Sequence, residues 1–202
     1  MTMKETLTNQ TKIHQESESQ DKVTFGFWVY LMTDLIMFAA LFATFAVLRN
    51  NTFGGITIKE IFNPPFVLTE TLILLTSSFT SGVALLFARV GDLRKTLVLF
   101  GITFLLGVTF VGMELSEFSK LIAEGNSFQR SGFLSSFFTL VGTHGLHITV
   151  GLFWMGILII QMLRKGLRKS YIQKLTLLTL FWHFLDIVWI FIFTIVYLMA
   201  KV

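Results

Sequence analysis

Five apolar stretches decide what this chain can fold into. They run over about 25–48, 66–88, 96–118, 132–163 and 175–199, and each exceeds the ~20 residues a helix needs to cross a hydrocarbon layer. Backbone polar groups in lipid must be satisfied within the spanning element, which leaves helices and closed barrels. Unbroken apolar runs of this length favour helices. The expected fold is an all-α membrane protein, a bundle of five transmembrane helices. Turn signals separate the runs. Asn50-Asn51, Gly54-Gly55 and Pro64-Pro65 follow the first, basic Arg89 to Lys95 follows the second, Lys120 to Ser131 the third and basic Arg164 to Lys174 the fourth. The fourth run is long enough to tilt or to project beyond the bilayer.

Charge content agrees. Only 14% of the 202 residues are Asp, Glu, Lys or Arg, against about a quarter in soluble domains. The net charge of +4 comes from loop lysines and arginines and calls for no nucleic-acid partner. With no cysteine in the chain, disulfides and thiolate metal sites are excluded. Residues 1–22 are rich in Thr, Gln, Glu, Ser and Lys and bury too little apolar surface to fold alone. They are expected to form a flexible polar tail, in which His14 is simply solvated, ahead of a transmembrane domain over 23–202. The tail lacks the apolar core of a signal peptide, so no cleavage is expected.

Five spans put the two ends on opposite sides. Eleven Lys and Arg residues fall on the side of the N-terminus and five on the other. The excess marks the cytoplasmic face, giving an N-terminus inside and a periplasmic C-terminus.

The spans carry polar residues that lipid would penalise. His183 and Asp186 lie inside the fifth run, three residues apart and so on one helix face. Asp34 lies in the first run, with Tyr30 and Thr33 placed to donate to it locally. His144 and His147 lie near the middle of the fourth. Such groups face the protein interior and find partners. Together Asp34, His144, His147, His183 and Asp186 form the candidate intramembrane polar cluster. Glu70, Glu114 and Glu117 are expected toward the outside, with Glu70 near water. A proton path or cofactor site is the functional reading of the midplane set. A hydrogen-bonded cluster that fixes helix order is the structural one, and the weight falls there because packing helices also need polar glue. Ser77, Ser78, Ser81 and Gly82 make a small polar stripe suited to close helix packing.

Specific chemistries fit poorly. His144 and His147 share a face and cannot flank one haem iron. His183 is about 12 Å and His147 about 24 Å from the cytoplasmic side at 1.5 Å per residue, so they are not level. A His, His, Asp metal site would need ligands from distant helices. The serine stripe shows no strained turn that would present a nucleophile. No catalytic centre and no metal or other cofactor is expected in the chain. A small proton-coupled transporter and a b-type membrane cytochrome are the alternative classes. The lack of an evident inverted repeat weighs against the first.

Three motifs carry a resemblance. Gly26-Phe27-Trp28 with the Asp34 span, Thr143-His144-Gly145-Leu146-His147, and Phe181-Trp182-His183-Phe184-Leu185-Asp186-Ile187-Val188-Trp189 together resemble subunit III of the haem–copper terminal oxidases. The resemblance covers 25–200. Five spans, rather than the seven typical of the cytochrome c oxidase branch, resemble the ubiquinol oxidase branch of cytochrome o type. Glu is frequent in the cytochrome c oxidase branch at the position matching Asp34. The resemblance implies a non-catalytic subunit of an oxidoreductase complex in the aerobic respiratory chain, multi-pass in a bacterial inner membrane. It implies haems, copper and proton pumping in subunit I. It also implies packing against subunit I and the other subunits, phospholipids held between helices, and support of assembly and sustained turnover.

Overall fold

A computed structural model describes residues 3–51, 64–126 and 129–198, and every regular element among them is helical. These are α1 (Met3–Leu48), α2 (Pro64–Val90), α3 (Leu93–Ala123), α4 (Gly132–Lys165) and α5 (Lys169–Ile192), which continues into the wider π-helical turns of Phe193–Leu198. Among the described residues five helical stretches are long and apolar enough to cross a membrane: Asp21–Leu48, Pro65–Val90, Leu93–Ala123, Gly132–Lys165 and Ser170–Tyr197. The chain is a multi-pass membrane protein by that measure. The helices overrun the apolar runs by several residues at most ends.

The largest difference from the sequence expectation concerns the tail. Residues 3–22, expected as a flexible polar segment, carry helical backbone continuous with the first span. The segment contains no glycine or proline, and Glu18 lies 3.5 Å from Lys22 one turn on. Once an apolar run has nucleated a helix, adding residues at its end costs little.

The chain divides into two compact units, Met1–Ile36 and Met37–Val202. In the first, Thr33 donates to the Tyr30 carbonyl oxygen at 2.6 Å. The Tyr30 hydroxyl hydrogen-bonds Asp34 on the next turn, so one of the two expected local donors reaches the acid. The other bonds the backbone.

In the second unit α2 packs on α3, α3 on α4, α4 on α5, and α5 back on α2, a closed ring of four helices. Short capped turns make this order possible. Gly91, with φ +89°, takes the left-handed conformation that ends α2, and the amides of Gly91 and Asp92 bond the Ala88 and Phe87 carbonyls. Asp92 then caps α3, accepting from the Lys95 amide at 3.1 Å. At the other end Ser131 caps α4 through the Leu134 amide.

Trp182 holds the centre of the ring. Its ring edge lies where a Cβ added at Gly107 on α3 would approach to 3.0 Å, and one added at Gly151 on α4 to 3.1 Å. Two glycines on facing helices thus open the slot that the indole fills. Phe100, Phe110, Phe133, Phe137 and Trp189 complete a buried aromatic core. The end of α1 joins it through Phe45, whose ring lies 6.1 Å from that of Phe133.

Candidate functional site

The polar residues of α5 meet the hydroxyl stripe of α2. Trp182 donates its indole N–H to Ser77 at 2.9 Å, and Trp189 donates to Thr71 at 3.1 Å. Ser78 Oγ lies 2.6 Å from His183 Nδ1, and Ser81 donates to Thr179 at 3.4 Å. Partner numbers rise on one helix as they fall on the other, so the helices run antiparallel along one seam. The His183 ring lies beside Gly82 of α2, where a Cβ would stand in ordinary contact 3.6 Å from Nε2. Ser77 and Thr80 also reach across to Thr103 on α3. Interhelical hydrogen bonds in membranes average about 0.6 kcal/mol each, so the four α2–α5 bonds contribute roughly 2 kcal/mol and, more usefully, fix the register.

Ser78, 2.6 Å from His183 Nδ1, also stands beside the Asp186 carboxyl, whose Oδ1 has no hydrogen-bond partner among the described residues. A serine hydroxyl carries one proton. Given to the carboxylate, it leaves Ser78 Oγ to accept from His183 Nδ1–H. That order differs from a hydrolytic triad, in which the base lies between nucleophile and acid. Here the serine stands between the histidine and the acid, which suits a structural tie.

The other histidines are placed differently. His144 is fully buried, its ring stacked on Trp189 at 5.3 Å and met edge-on by Phe110 and Phe38. Neither ring nitrogen has a hydrogen-bond partner among the described residues. His147 Nδ1 lies 2.7 Å from the Thr143 carbonyl oxygen, which can only accept, so Nδ1 carries the proton. Phe38 sits between these rings and Phe184, 5.4 Å from His147 and 6.5 Å from Phe184. His144 and His147 are thus set in aromatic packing, on the helix that packs directly against α5. Asp34 belongs to the first unit and is held there by Tyr30.

The acidic residues require a correction. Glu70, expected near water, is 1% exposed, and Glu114 is 4% exposed. Neither oxygen of Glu70 nor Oε1 of Glu114 has a hydrogen-bond partner among the described residues. Glu117 and the phenol of Tyr197 lie near enough to couple electrostatically to both. The reason is tertiary: α2, α3 and the π-helical end of α5 turn these side chains toward one another. Gly145 leaves room for the Glu114 carboxyl, since a Cβ there would stand 2.5 Å from its oxygens.

Among the described residues no three His, Cys, Asp or Glu side chains converge to hold a metal ion. Sequence reasoning named the serine stripe and the α5 motif but not Thr71, Gly107 or Tyr197. A signal for Thr71 was present, because Thr71 precedes Ser77 by nearly two turns, as Trp182 precedes Trp189.

The sequence profile described as cytochrome c oxidase subunit III matches residues 4–201. The chain belongs to that family. It is 54% identical over 183 residues to the cytochrome bo(3) ubiquinol oxidase subunit 3 of Pseudomonas aeruginosa, covering 91% of this chain and 88% of the relative. It is 45% identical to the quinol oxidase subunit 3 of Bacillus subtilis over 92% of this chain and 91% of the relative. It is 45% identical to the cytochrome c oxidase subunit 3 of Bacillus sp. strain PS3, covering 88% and 86%. Relatives named for either electron donor therefore align along nearly their whole lengths, and the resemblance read from three motifs extends over the entire bundle. A subunit III of the haem–copper oxidase type accounts for the five spans and for polar residues absorbed in packing.

Proposed function

We propose that this chain is the non-catalytic third subunit of a proton-translocating quinol oxidase in a bacterial cytoplasmic membrane. It packs against the subunit that carries the haems and copper and against the other subunits of the complex, binds phospholipid, and supports assembly and sustained turnover. The observation that carries the reading is the 54% identity, over 91% of this chain, with a bo(3) ubiquinol oxidase subunit 3. The site geometry supports it from below. The α5 motif bonds to α2 through Trp182, His183 and Trp189, which suits a packing role.

In this reading Asp34, tied to Tyr30, is a packing or lipid-site anchor, and the α2–α5 seam with His144 and His147 fixes helix order. The N-terminus and the Gly91 turn face the cytoplasm, because eleven of the sixteen basic residues fall on that side. Purification through a tag on this chain in mild detergent tests the proposal. The complex is expected to bring down a large haem-bearing partner and to show its visible spectrum, while the chain stripped of partners is colourless. A chain that is red alone, or that transports a solute when reconstituted alone, overturns the reading.

A further inference from the structure

Beyond the bond from Trp189 to Thr71, the ring of helices encloses acids that the α2–α5 seam does not use. Glu114 and Glu117 lie about one turn apart on α3 and couple electrostatically. Glu70 arrives separately from α2. It is 1% exposed, neither of its oxygens has a hydrogen-bond partner among the described residues, and it couples to both α3 acids. The buried phenol of Tyr197, on the π-helical end of α5, stands near all three. On the α4 side the wall is bare backbone, because Gly145 leaves to the Glu114 carboxyl the space its own Cβ would take. Four elements thus close on one group of carboxyls.

Helix packing does not account for them. On the α2–α5 seam the hydroxyls and indoles end on partners, whereas here the nearby donors are engaged elsewhere. Thr71, next to Glu70, donates to the Val67 carbonyl at 2.9 Å and accepts from Trp189. His144, next to Gly145, is turned into the rings of Trp189 and Phe110. Arg130 donates to Asn126 and the Gly125 carbonyl. Lys120 couples to Glu117 from an exposed position, and residues 37–48 of α1 contain no titratable group. Glu70 Oε1, Glu70 Oε2 and Glu114 Oε1 are therefore acceptors that lack a donor among the described residues. Carboxyls grouped in this way, with no cation buried among them, are not all ionised together. A proton kept on one of them makes it a donor to its neighbours. Exposure falls along the group, since Glu117 is half-buried while Glu114 and Glu70 are closed off. Solvent therefore meets the group at Glu117.

We infer that Glu70, Glu114 and Glu117 form a proton-binding site, loaded and emptied through Glu117. Hydronium gives its proton to the Glu117 carboxylate and leaves as water. The proton then passes to Glu114 and is shared with Glu70, and Glu117 is a carboxylate again. Where two carboxyls do not bond directly, one internal water hands the proton on. A metal ion is the poorer occupant, because among the described residues no three such side chains are placed to hold one. The site meets the periplasmic face in the proposed orientation, and its chemistry does not depend on the oxidase reading.

Infrared spectroscopy of the intact complex tests the inference. The immobilised complex is cycled between mildly acidic and alkaline buffer, and difference spectra are recorded. The carbonyl stretch of a protonated carboxyl is expected to grow on acidification and to shift down in heavy water. It should weaken in Glu70→Gln and in Glu114→Gln, and be lost from the variant carrying both. Glutamine keeps the size of the side chain, so haem content should match wild type, and Glu114→Gln carries the test alone if Glu70→Gln fails to assemble. Glu117→Gln should retain the band but slow its rise after a pH jump roughly a hundredfold, the low end of what a positioned proton carrier contributes. A spectrum unchanged in the assembled glutamine variants would overturn the inference. So would a band that these variants remove but pH does not move, which would make the acids fixed packing groups. An unslowed rise in Glu117→Gln would overturn the route through that residue. Recovery of the haem-bearing partner is scored on the same samples, so failure here is distinct from failure of the oxidase reading.

Discussion

Ser78 shows how the chain handles polar residues in lipid. Its hydroxyl lies 2.6 Å from His183 Nδ1 of the neighbouring helix, beside the Asp186 carboxyl. Ser78→Ala leaves His183 Nδ1–H and the Asp186 carboxyl without this partner. The expected loss is about 1–3 kcal/mol, the cost of an unsatisfied buried group, read as a lower thermal midpoint of the purified complex. Asp186→Asn keeps an acceptor for the Ser78 hydroxyl and should lose less than Asp186→Ala. Gly107 poses the opposite problem. A Cβ there would lie 2.8 Å from Leu152 Cδ2 and 3.0 Å from the Trp182 ring, so Gly107→Ala should cost about 1–3 kcal/mol by overpacking. A wild-type midpoint in Gly107→Ala would show that the Trp182 slot is looser than described. Nothing in the sequence marks Gly107 apart from Gly101, for which the neighbouring space is empty. That contrast lies in the facing helices and is invisible in a single apolar run.

At the scale of elements, the spans were legible because lipid imposes a length and a polarity that the chain must write into its sequence. The serine stripe was legible as a packing face for the same reason. Which helix it meets was not, because Ser77, Ser78 and Ser81 would serve equally against any neighbour. Glu70 was misplaced near water because its position in α2 carries no record of Tyr197 and Glu114 approaching from other helices. The helical backbone of 3–22 was missed because polar composition was read as irregular structure. The turn between α2 and α3 offers a test at this scale. The hydrogen bond from the Lys95 amide, with the Lys95 side chain next, holds the Asp92 carboxyl below its ordinary pKa. A carboxyl lowered by folding contributes stability that is full above the ordinary carboxylate value and is lost as pH falls through the lowered one. Hydrogen exchange at the Lys95 amide should therefore be slower in wild type than in Asp92→Ala at neutral pH. The two should converge in acid. A difference that persists in acid would mean that the carboxylate is not the cap.

At the scale of the whole molecule, the ring α2–α3–α4–α5 follows from short turns that force neighbours in sequence to be neighbours in space, closed by the seam between α5 and α2. Topology reporters inserted at Gly91 and Gly125 should fall on opposite faces, Gly91 inside. Both on one face would break the five-span order. The central claim is that the intramembrane polar residues of α5 hold the bundle together and do no chemistry. Its most direct test is quinol oxidase turnover per haem in complexes carrying Ser78→Ala or Asp186→Asn, measured beside the yield of assembled complex. Turnover per haem is expected to stay near wild type while yield or thermal midpoint falls. Full yield and unchanged midpoint with turnover lost would contradict the claim and make the Ser78–His183–Asp186 tie part of the reaction.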